Sequence, residues 1–227
     1  METDRLSVHT VMTPGSTVPG GALTGEVTLV SEGTHRTVDL VALELTADAP
    51  ARNSTAVLHH LAVGGPFELG AGEPHVVPFA FTVPHGTPFT EWYGQPVGVT
   101  VGVRARVRTA GADRTSARVL VSVRPLPAQE AVLTALDRHG FGWSSADLSP
   151  VPRNGGHAAP VAQRVEFTPP PRYGPHLDSV AVIFLARDDE HRPCVPGCVP
   201  GALDVTHARV PLARAPTLTH HGLTNQR

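Results

Sequence analysis

The chain has few charges, few aromatic residues and almost no cysteine. Of its 227 residues, 17% are charged and 5% aromatic, and the formal net charge is −2. No block of basic residues accumulates, which argues against a general binder of nucleic acid or another polyanion. Both cysteines, Cys194 and Cys198, lie near the C-terminus. A disulfide framework therefore cannot support the rest of the chain, and a reducing compartment is compatible with the sequence.

Long apolar runs are also missing. The sequence has no stretch of about 18 apolar residues, so we expect no membrane span. Met1 to Arg5 is polar and includes two acidic residues. A secretory signal would instead begin with a basic segment followed by an apolar one. The prediction is a cytoplasmic protein.

What the chain does contain is glycine, proline and short alternating patterns. There are 22 glycines and 23 prolines, a composition that favours short strands and turns over a helical bundle. The clearest strand lies between Gly70 and Thr90, with one apolar face formed by Val77, Phe79, Phe81 and Val83. Pro78 cannot donate a ladder hydrogen bond, so it is expected at the start or edge of the strand and not in the middle of a sheet.

About seven such strands precede residue 124, with turn residues at regular intervals. Residues 97–107 alternate valine and alanine with polar residues, and 119–123 return as the second strand of a hairpin. Gly25 lies on the inward row of its strand, where glycine indicates a close approach or a bulge. Val38 and Leu40 fall out of phase with Val41, which predicts a bulge or burial on both faces. This pattern is typical of an antiparallel β-sandwich.

The pattern changes after residue 124. Residues 125–138 have helical spacing, with proline in the first turn and Gly140 placed to end the helix. Residues 161–167 and 177–185 again read as strands. The predicted domains are an N-terminal sandwich (1–124), a linker helix (125–145), a second β domain whose completeness is left open (146–186) and an irregular tail rich in proline and histidine (187–227). That tail is either loosely attached or a degenerate end.

Three segments resemble the sporulation-control (stage zero M type) proteins of bacteria, a family with an arrestin-like fold. They are the Pro-Gly opening and strand at 18–29, the strand 77–84 with Thr87-Pro88, and the helix at 125–133 running to Gly140-Phe141. Residues 163–167 and 177–184 fit a second domain, and the likeness covers about 7–186. The resemblance implies an all-β protein of two antiparallel, immunoglobulin-like sandwiches. It also implies a cytoplasmic, non-enzymatic regulator of development that binds other proteins.

Arg104, Arg106 and Arg108 are predicted to form a cationic stripe on the outward face of one strand, with Arg118 and Arg124 on its partner strand. The simpler interpretation is a solvated sheet face. The functional one is a docking surface for an acidic or phosphorylated segment, because the guanidinium fork suits carboxylate and phosphate. Trp92 and Tyr93 form a second candidate, either as interface anchors or as a cap on the core. Whether the chain forms a homo-oligomer is left open.

Other chemistry has weaker support. His191, Cys194, Cys198 and His207 have H-x2-C-x3-C-x8-H spacing, which could surround zinc. The C-x3-C spacing and the prolines between these residues favour a tail with two free thiols instead. The sequence has neither a nucleophile elbow nor a phosphate-binding glycine loop, so we predict no enzyme activity and no cofactor. The alternative functions are a ligand-binding sandwich and a zinc module.

Overall fold

The computed structural model describes residues 5–13, 15–49, 54–110, 112–150, 161–186 and 203–204. Within these ranges the chain forms sixteen β-strands, one α-helix and one 3₁₀ helix. The strands before the α-helix are β1 (Arg5–Thr13), β2 (Ser16–Thr17), β3 (Ala22–Glu32), β4 (Arg36–Ala49), β5 (Ser54–Gly64), β6 (Phe67–Leu69), β7 (Pro74–Thr82), β8 (Glu91–Trp92), β9 (Gln95–Pro96), β10 (Thr100–Thr109), β11 (Ala112–Thr115) and β12 (Val119–Val123). The strands after it are β13 (Gly142–Pro150), β14 (Val161–Thr168), β15 (Val180–Ala186) and β16 (Leu203–Asp204).

The first twelve strands form two main sheets and a small hairpin. One sheet has the order β1-β3-β7, and the other has the order β2-β12-β10-β4-β5, with β11 paired to β10 and β6 paired to β4. All pairs are antiparallel except β2 with β12. Apolar side chains from the inner faces of both sheets, such as Leu29, Leu43 and Val103, are fully buried. The prediction of a mostly antiparallel β-rich fold is confirmed.

Strand β7 lies at a sheet edge, which agrees with the expectation that Pro78 stays out of the middle of a sheet. It pairs only with β3 among the described strands, and Pro78 lies opposite Glu26 in the register. A proline is tolerated there because its missing N–H faces away from the ladder. Val77 and Phe79 are buried, while Phe81 is only half-buried at the open side of the sandwich. One member of the predicted core row is therefore partly exposed.

Two irregularities predicted from the pattern are present. A side chain at Gly25 would overlap the Val11 carbonyl oxygen and the Phe79 ring, so the glycine permits the close approach. In β4, Thr109 pairs with Val38 and Arg108 with Leu40, which leaves Asp39 as a bulge. The bulge shifts the alternation by one residue, which explains why Val38 and Leu40 are out of phase with Val41.

The α-helix, α1 (Pro127–Arg138), is stabilised at both ends. At its start, the Leu126 N–H donates to the Gln129 side-chain oxygen at 2.8 Å. At its end, Gly140 has a φ of 78°, and the Phe141 N–H donates to the Leu136 carbonyl at 3.0 Å. This is the glycine-terminated ending that the sequence predicted. The helix begins two residues later than expected.

Among the described residues after the helix, β13, β14, β15 and β16 form one four-stranded sheet in that order. Strand β13 was not predicted, because the register slips between Trp143 and Ser145. This bulge moves the inward positions from Trp143 to Ala146 and Leu148, which breaks the alternation in the sequence. Strand β15 starts at Val180 and not at 177, after the 3₁₀ helix Pro171–His176.

This second sheet packs against the end of the sandwich. Phe89 and Phe184 meet edge to face with ring centroids 5.7 Å apart, and buried apolar residues of both regions form one continuous cluster. A second complete sandwich and the boundaries near 124 and 145 stay predictions. Of the predicted tail 187–227, only Leu203–Asp204 belongs to the described residues.

Candidate functional site

The outward face of β10, β4 and β5 carries the predicted arginines. Arg104, Arg106 and Arg108 alternate along β10 with the buried residues Ala105 and Val107. Their guanidinium groups therefore lie on the outside of the large sheet, as the alternation required. We call this surface the arginine face.

Glu44 of β4 lies in the middle of the arginine face and is nevertheless buried. Its side chain is 3% exposed, because two arginines cover it. Arg104 Nε donates to Oε2 at 2.8 Å, and Arg106 Nη1 donates to Oε1 at 2.9 Å. His60 Nδ1 lies 3.7 Å from Oε1 and adds a charge only when protonated. The cross-strand register is what brings both arginines over Glu44.

Opposing effects act on the protonation of Glu44. Burial raises the pKa of its carboxyl group, but hydrogen bonds from Arg106 and Arg104, together with their charges, outweigh burial and lower the pKa below its usual value. The carboxylate is therefore ionised and holds both guanidinium groups in place. Charge reversal at Arg104 or Arg106 would consequently disturb folding as well as any binding.

Arg108 differs from its two neighbours. It is exposed and has no hydrogen-bond or ion-pair partner among the described residues. It borders an open groove of about 320 Å³. The groove lies where small residues sit between longer side chains, and its lining is Leu40, Ala42, Glu44, His60, Leu61, Ala62, Arg106, Val107, Arg108 and Asp113. The arrangement combines an apolar floor with a charged rim, on which Asp113 lies 3.5 Å from Arg106 Nη2 and Arg108 is the unpaired cation within the described part of the chain.

Arg118, the predicted extension of the stripe, lies on the same face near Arg104, but its charge is already paired with Asp48. Arg118 precedes β12 and folds over Gly102, where an added Cβ would overlap it. Its guanidinium group binds the Asp48 carboxylate and the backbone carbonyls of Thr46 and Thr100. Burial lowers the pKa of Arg118, which the charge of Asp48 partly opposes. Arg118 therefore stabilises the sheet, and Arg124 lies just beyond the end of β12.

Trp92 and Tyr93 lie in a tight hairpin formed by β8 and β9. Tyr93 and Gly94 form its turn, with φ angles of 50° and 72°. The Trp92 ring stacks on Tyr93 at 4.8 Å and meets Trp143 of the second sheet at 5.8 Å. Tyr93 is 61% exposed, and its hydroxyl lies 3.0 Å from Thr134 Oγ1 on α1. Trp92 therefore covers the end of the core, whereas Tyr93 faces solvent.

The metal hypothesis rests on residues outside the described ranges. His191, Cys194, Cys198 and His207 all fall there, so zinc binding stays a prediction. Among the described residues, no group of three or more histidine, cysteine, aspartate or glutamate side chains could hold a metal ion. The same part of the chain contains no helix long and apolar enough to cross a membrane.

These features define a β-sandwich protein whose most distinctive surface is an arginine-lined sheet face. The family model of the SpoOM protein (Spo0M) matches residues 4–192, and the chain belongs to this family. It is 29% identical to the sporulation-control protein spo0M of Bacillus subtilis (strain 168) over 190 residues, which covers 80% of this chain and 71% of that protein. The family resemblance inferred from sequence motifs is confirmed.

A solved structure of a family member agrees with this assignment. The crystal structure of Spo0M from Bacillus subtilis superposes with a TM-score of 0.68 at 27% identity, covering 81% of this chain and 75% of that chain. The DNA glycosylase AlkC of Pseudomonas fluorescens matches with a TM-score of 0.34 at 15% identity, covering 53% of this chain and 31% of that chain. A likeness at that level carries no argument about function.

Proposed function

We propose that this protein is a non-enzymatic, cytoplasmic regulator of sporulation or a related developmental programme, and that it acts by binding other proteins. Family membership supports the regulatory role. The arginine face supports the mode of action, because it offers a cationic docking surface for an acidic or phosphorylated segment.

The observation that carries this proposal is the unequal use of the three arginines. Glu44 engages Arg104 and Arg106 through hydrogen bonds of 2.8 and 2.9 Å, whereas Arg108 has no partner within the described ranges. A fixed ion-pair cluster beside an unpaired guanidinium group gives a partner one charge to neutralise. The neighbouring positions stay rigid, so little side-chain ordering is needed on binding.

Tyr93 contributes a second contact in this proposal. Its exposed ring is held by the stacked Trp92 and by the hydrogen bond with Thr134. A tyrosine held in one orientation is a favoured interface anchor, because little rotamer entropy is lost on binding. Trp92 supports Tyr93 and has a smaller part in contacting a partner.

The test uses the host organism. The gene is deleted and then restored with the unchanged sequence, with Arg108→Glu or with Arg114→Glu, and heat-resistant spores are counted at matched protein levels. Arg114 is also an exposed arginine, on β11, and it does not line the groove. We expect Arg114→Glu to restore the normal count and Arg108→Glu to fail. Equal restoration by both variants, or a deletion without effect on spore number, would refute the proposal.

A further inference from the structure

Strand β5 (Ser54–Gly64) is a long edge strand of the large sheet. It pairs with β4 on one side, and no strand in the described ranges pairs with its other side. It runs for 11 residues. An edge strand presents unpaired backbone N–H and C=O groups that can accept a further strand. Natural sheets usually protect such an edge.

Two other edges of the sandwich are protected in ways that β5 is not, because β7 carries Pro74 and Pro78 and β2 is only 2 residues long. Across the sandwich, β5 contacts β7 just as β1 contacts β10, β11 and β12. The sequence of β5, STAVLHHLAVG, has neither a proline nor an Asp, Glu, Lys or Arg. Its two bulges, at Leu58 and Val63, leave residues 59–62 in regular register with β4. The central part of β5 therefore keeps an open edge.

The inner side of this edge is apolar and incompletely covered. Leu58, Leu61 and Val63 are only half-buried, and no residue from Thr55 to Gly64 is fully buried. Phe81 of β7 is also half-buried, and it stacks on His59 with ring centroids 6.2 Å apart. Apolar side chains from an added strand would cover these groups.

The outer side of the same edge leads directly to the groove. Ala62 of β5 pairs with Ala42 of β4, which pairs with Arg106 of β10. Two methyl groups thus separate the open edge from Arg106 and Arg108 on the rim, where Asp113 pairs with Arg106 and leaves Arg108 as the unpaired cation among the described residues. A long acidic side chain on an added strand would extend over both alanines towards these arginines. Charge complementarity therefore selects an acidic outer side for the occupant.

We infer that β5 is a docking edge for an extended segment of a partner protein in which apolar and acidic residues alternate. The backbone of the segment pairs with β5, its apolar residues cover Leu61 and Phe81, and its acidic residues enter the groove. This mode of binding is strand addition. The inference deepens the proposed function and rests on it for the role of the arginine face, whereas the backbone pairing stands on β5 alone.

The experiment uses the full-length protein and a synthetic peptide of about nine residues that alternates valine with glutamate. Amide hydrogen exchange is followed with and without peptide. We expect exchange in residues 59–62 to slow by about tenfold at saturation while exchange in β7 is unchanged. A peptide N-methylated at every residue is the control, because it keeps the side chains but has no backbone N–H to donate along either edge.

A second set of measurements separates the backbone pairing with β5 from the role of the arginine face. Threonine replaces glutamate in a neutral peptide, and Arg108→Gln is compared with Arg114→Gln. If the groove recognises the acidic residues, Arg108→Gln weakens binding of the acidic peptide by about twofold to fivefold, and the neutral peptide is insensitive. If exchange in β5 slows with both peptides but Arg108→Gln has no effect, the docking edge stands and the role of the arginine face fails.

Three results would overturn the docking edge itself. The first is unchanged exchange in β5 with every peptide at millimolar concentration. The second is equal protection by the N-methylated peptide. The third is a homodimer in sedimentation experiments whose formation alone protects β5, since the edge would then belong to a second copy of the chain.

Discussion

The arginine face and the junction between the two β regions both contain a buried polar group, but these groups are of different kinds. On the arginine face, Glu44 is ionised and neutralised by Arg104 and Arg106, which are themselves partly exposed. At the junction, the neutral amide of Gln163 on β14 accepts from the Phe89 N–H at 3.0 Å and donates to the Phe89 carbonyl at 2.8 Å. Gln163 is 2% exposed.

The difference shows which region is able to respond to its surroundings. An amide pair in an apolar cluster contributes the same stability at any pH or salt concentration, and Phe89 and Phe184 lie beside Gln163. The stability contributed by a carboxylate that partly exposed arginines hold depends on the protonation of the carboxylate. Salt also weakens the attraction between these charges. The junction therefore holds the architecture together, and the arginine face is the surface that a charged partner can influence.

The largest effect is expected at the junction. Gln163→Met keeps the length of the side chain but leaves the Phe89 N–H and carbonyl without partners. We expect the free energy of unfolding to fall by about 2–4 kcal/mol, because each buried unpaired group costs about 1–3 kcal/mol. Urea denaturation at pH 7 measures this, with the exposed Gln95→Met on β9 as the matched control.

The loss at Gln163 should be independent of conditions. The same variant is measured at low and high salt and at pH 5, where the difference from the unchanged protein is expected to stay constant. A loss that shrinks with salt would contradict the distinction between a neutral junction and a charged face.

A smaller effect is expected at Glu44. Glu44→Gln removes the charge and keeps the shape, and we expect a loss of about 1–2 kcal/mol at pH 7. This is below the range for fully buried ion pairs because both guanidinium groups are partly exposed. Raising the salt concentration should reduce the loss, and urea denaturation in a salt series measures it. A loss that does not change with salt would sink the charge-based explanation.

The pH dependence of the Glu44 variant follows from the direction of its pKa shift. Because the folded-state pKa of Glu44 is lowered, its contribution is fully present above the unfolded value of about 4.3. It is lost as the pH falls through the folded-state pKa. The stability difference between the unchanged protein and Glu44→Gln should therefore narrow below about pH 4. A difference that widens there would reverse the assigned direction.

The smallest effect is expected at Tyr93. Tyr93→Phe removes an exposed hydrogen bond with Thr134 and should change stability by less than about 0.5 kcal/mol. Tyr93→Ala removes the exposed ring stacked on Trp92, and thermal unfolding distinguishes the two variants. A large loss for Tyr93→Phe would mean that the hairpin is a structural clamp and not a presented surface.

Much of the architecture follows from local patterns. Four features could be predicted, because each depends on one strand or one turn. They are the buried row containing Val77 and Phe79, the position of Pro78 outside the middle of a sheet, the close approach at Gly25 and the end of the helix at Gly140. Strand β13 was missed because the bulge at Ser144 interrupts its alternation. The sequence pattern of β13 alone therefore does not predict a strand, whereas its pairing with β14 in the structure shows one.

The candidate site was only half predictable. Alternation placed Arg104, Arg106 and Arg108 on the outward face, but their different roles depend on which β4 residue lies opposite each one. The pairing of Arg104 with Glu44 and of Arg108 with Leu40 is a long-range register, which local patterns do not specify. The position of Arg118 over Gly102 depends on the same register.

The account rests on the claim that two arginines of the face are structural and one is available for a partner. The most direct test is the free energy of unfolding at pH 7 for three separate variants, Arg104→Gln, Arg106→Gln and Arg108→Gln. We expect the first two to lose about 1 kcal/mol each through Glu44, and the third to stay within about 0.5 kcal/mol of the unchanged protein. Equal losses at all three positions, or the largest loss at Arg108, would contradict the account.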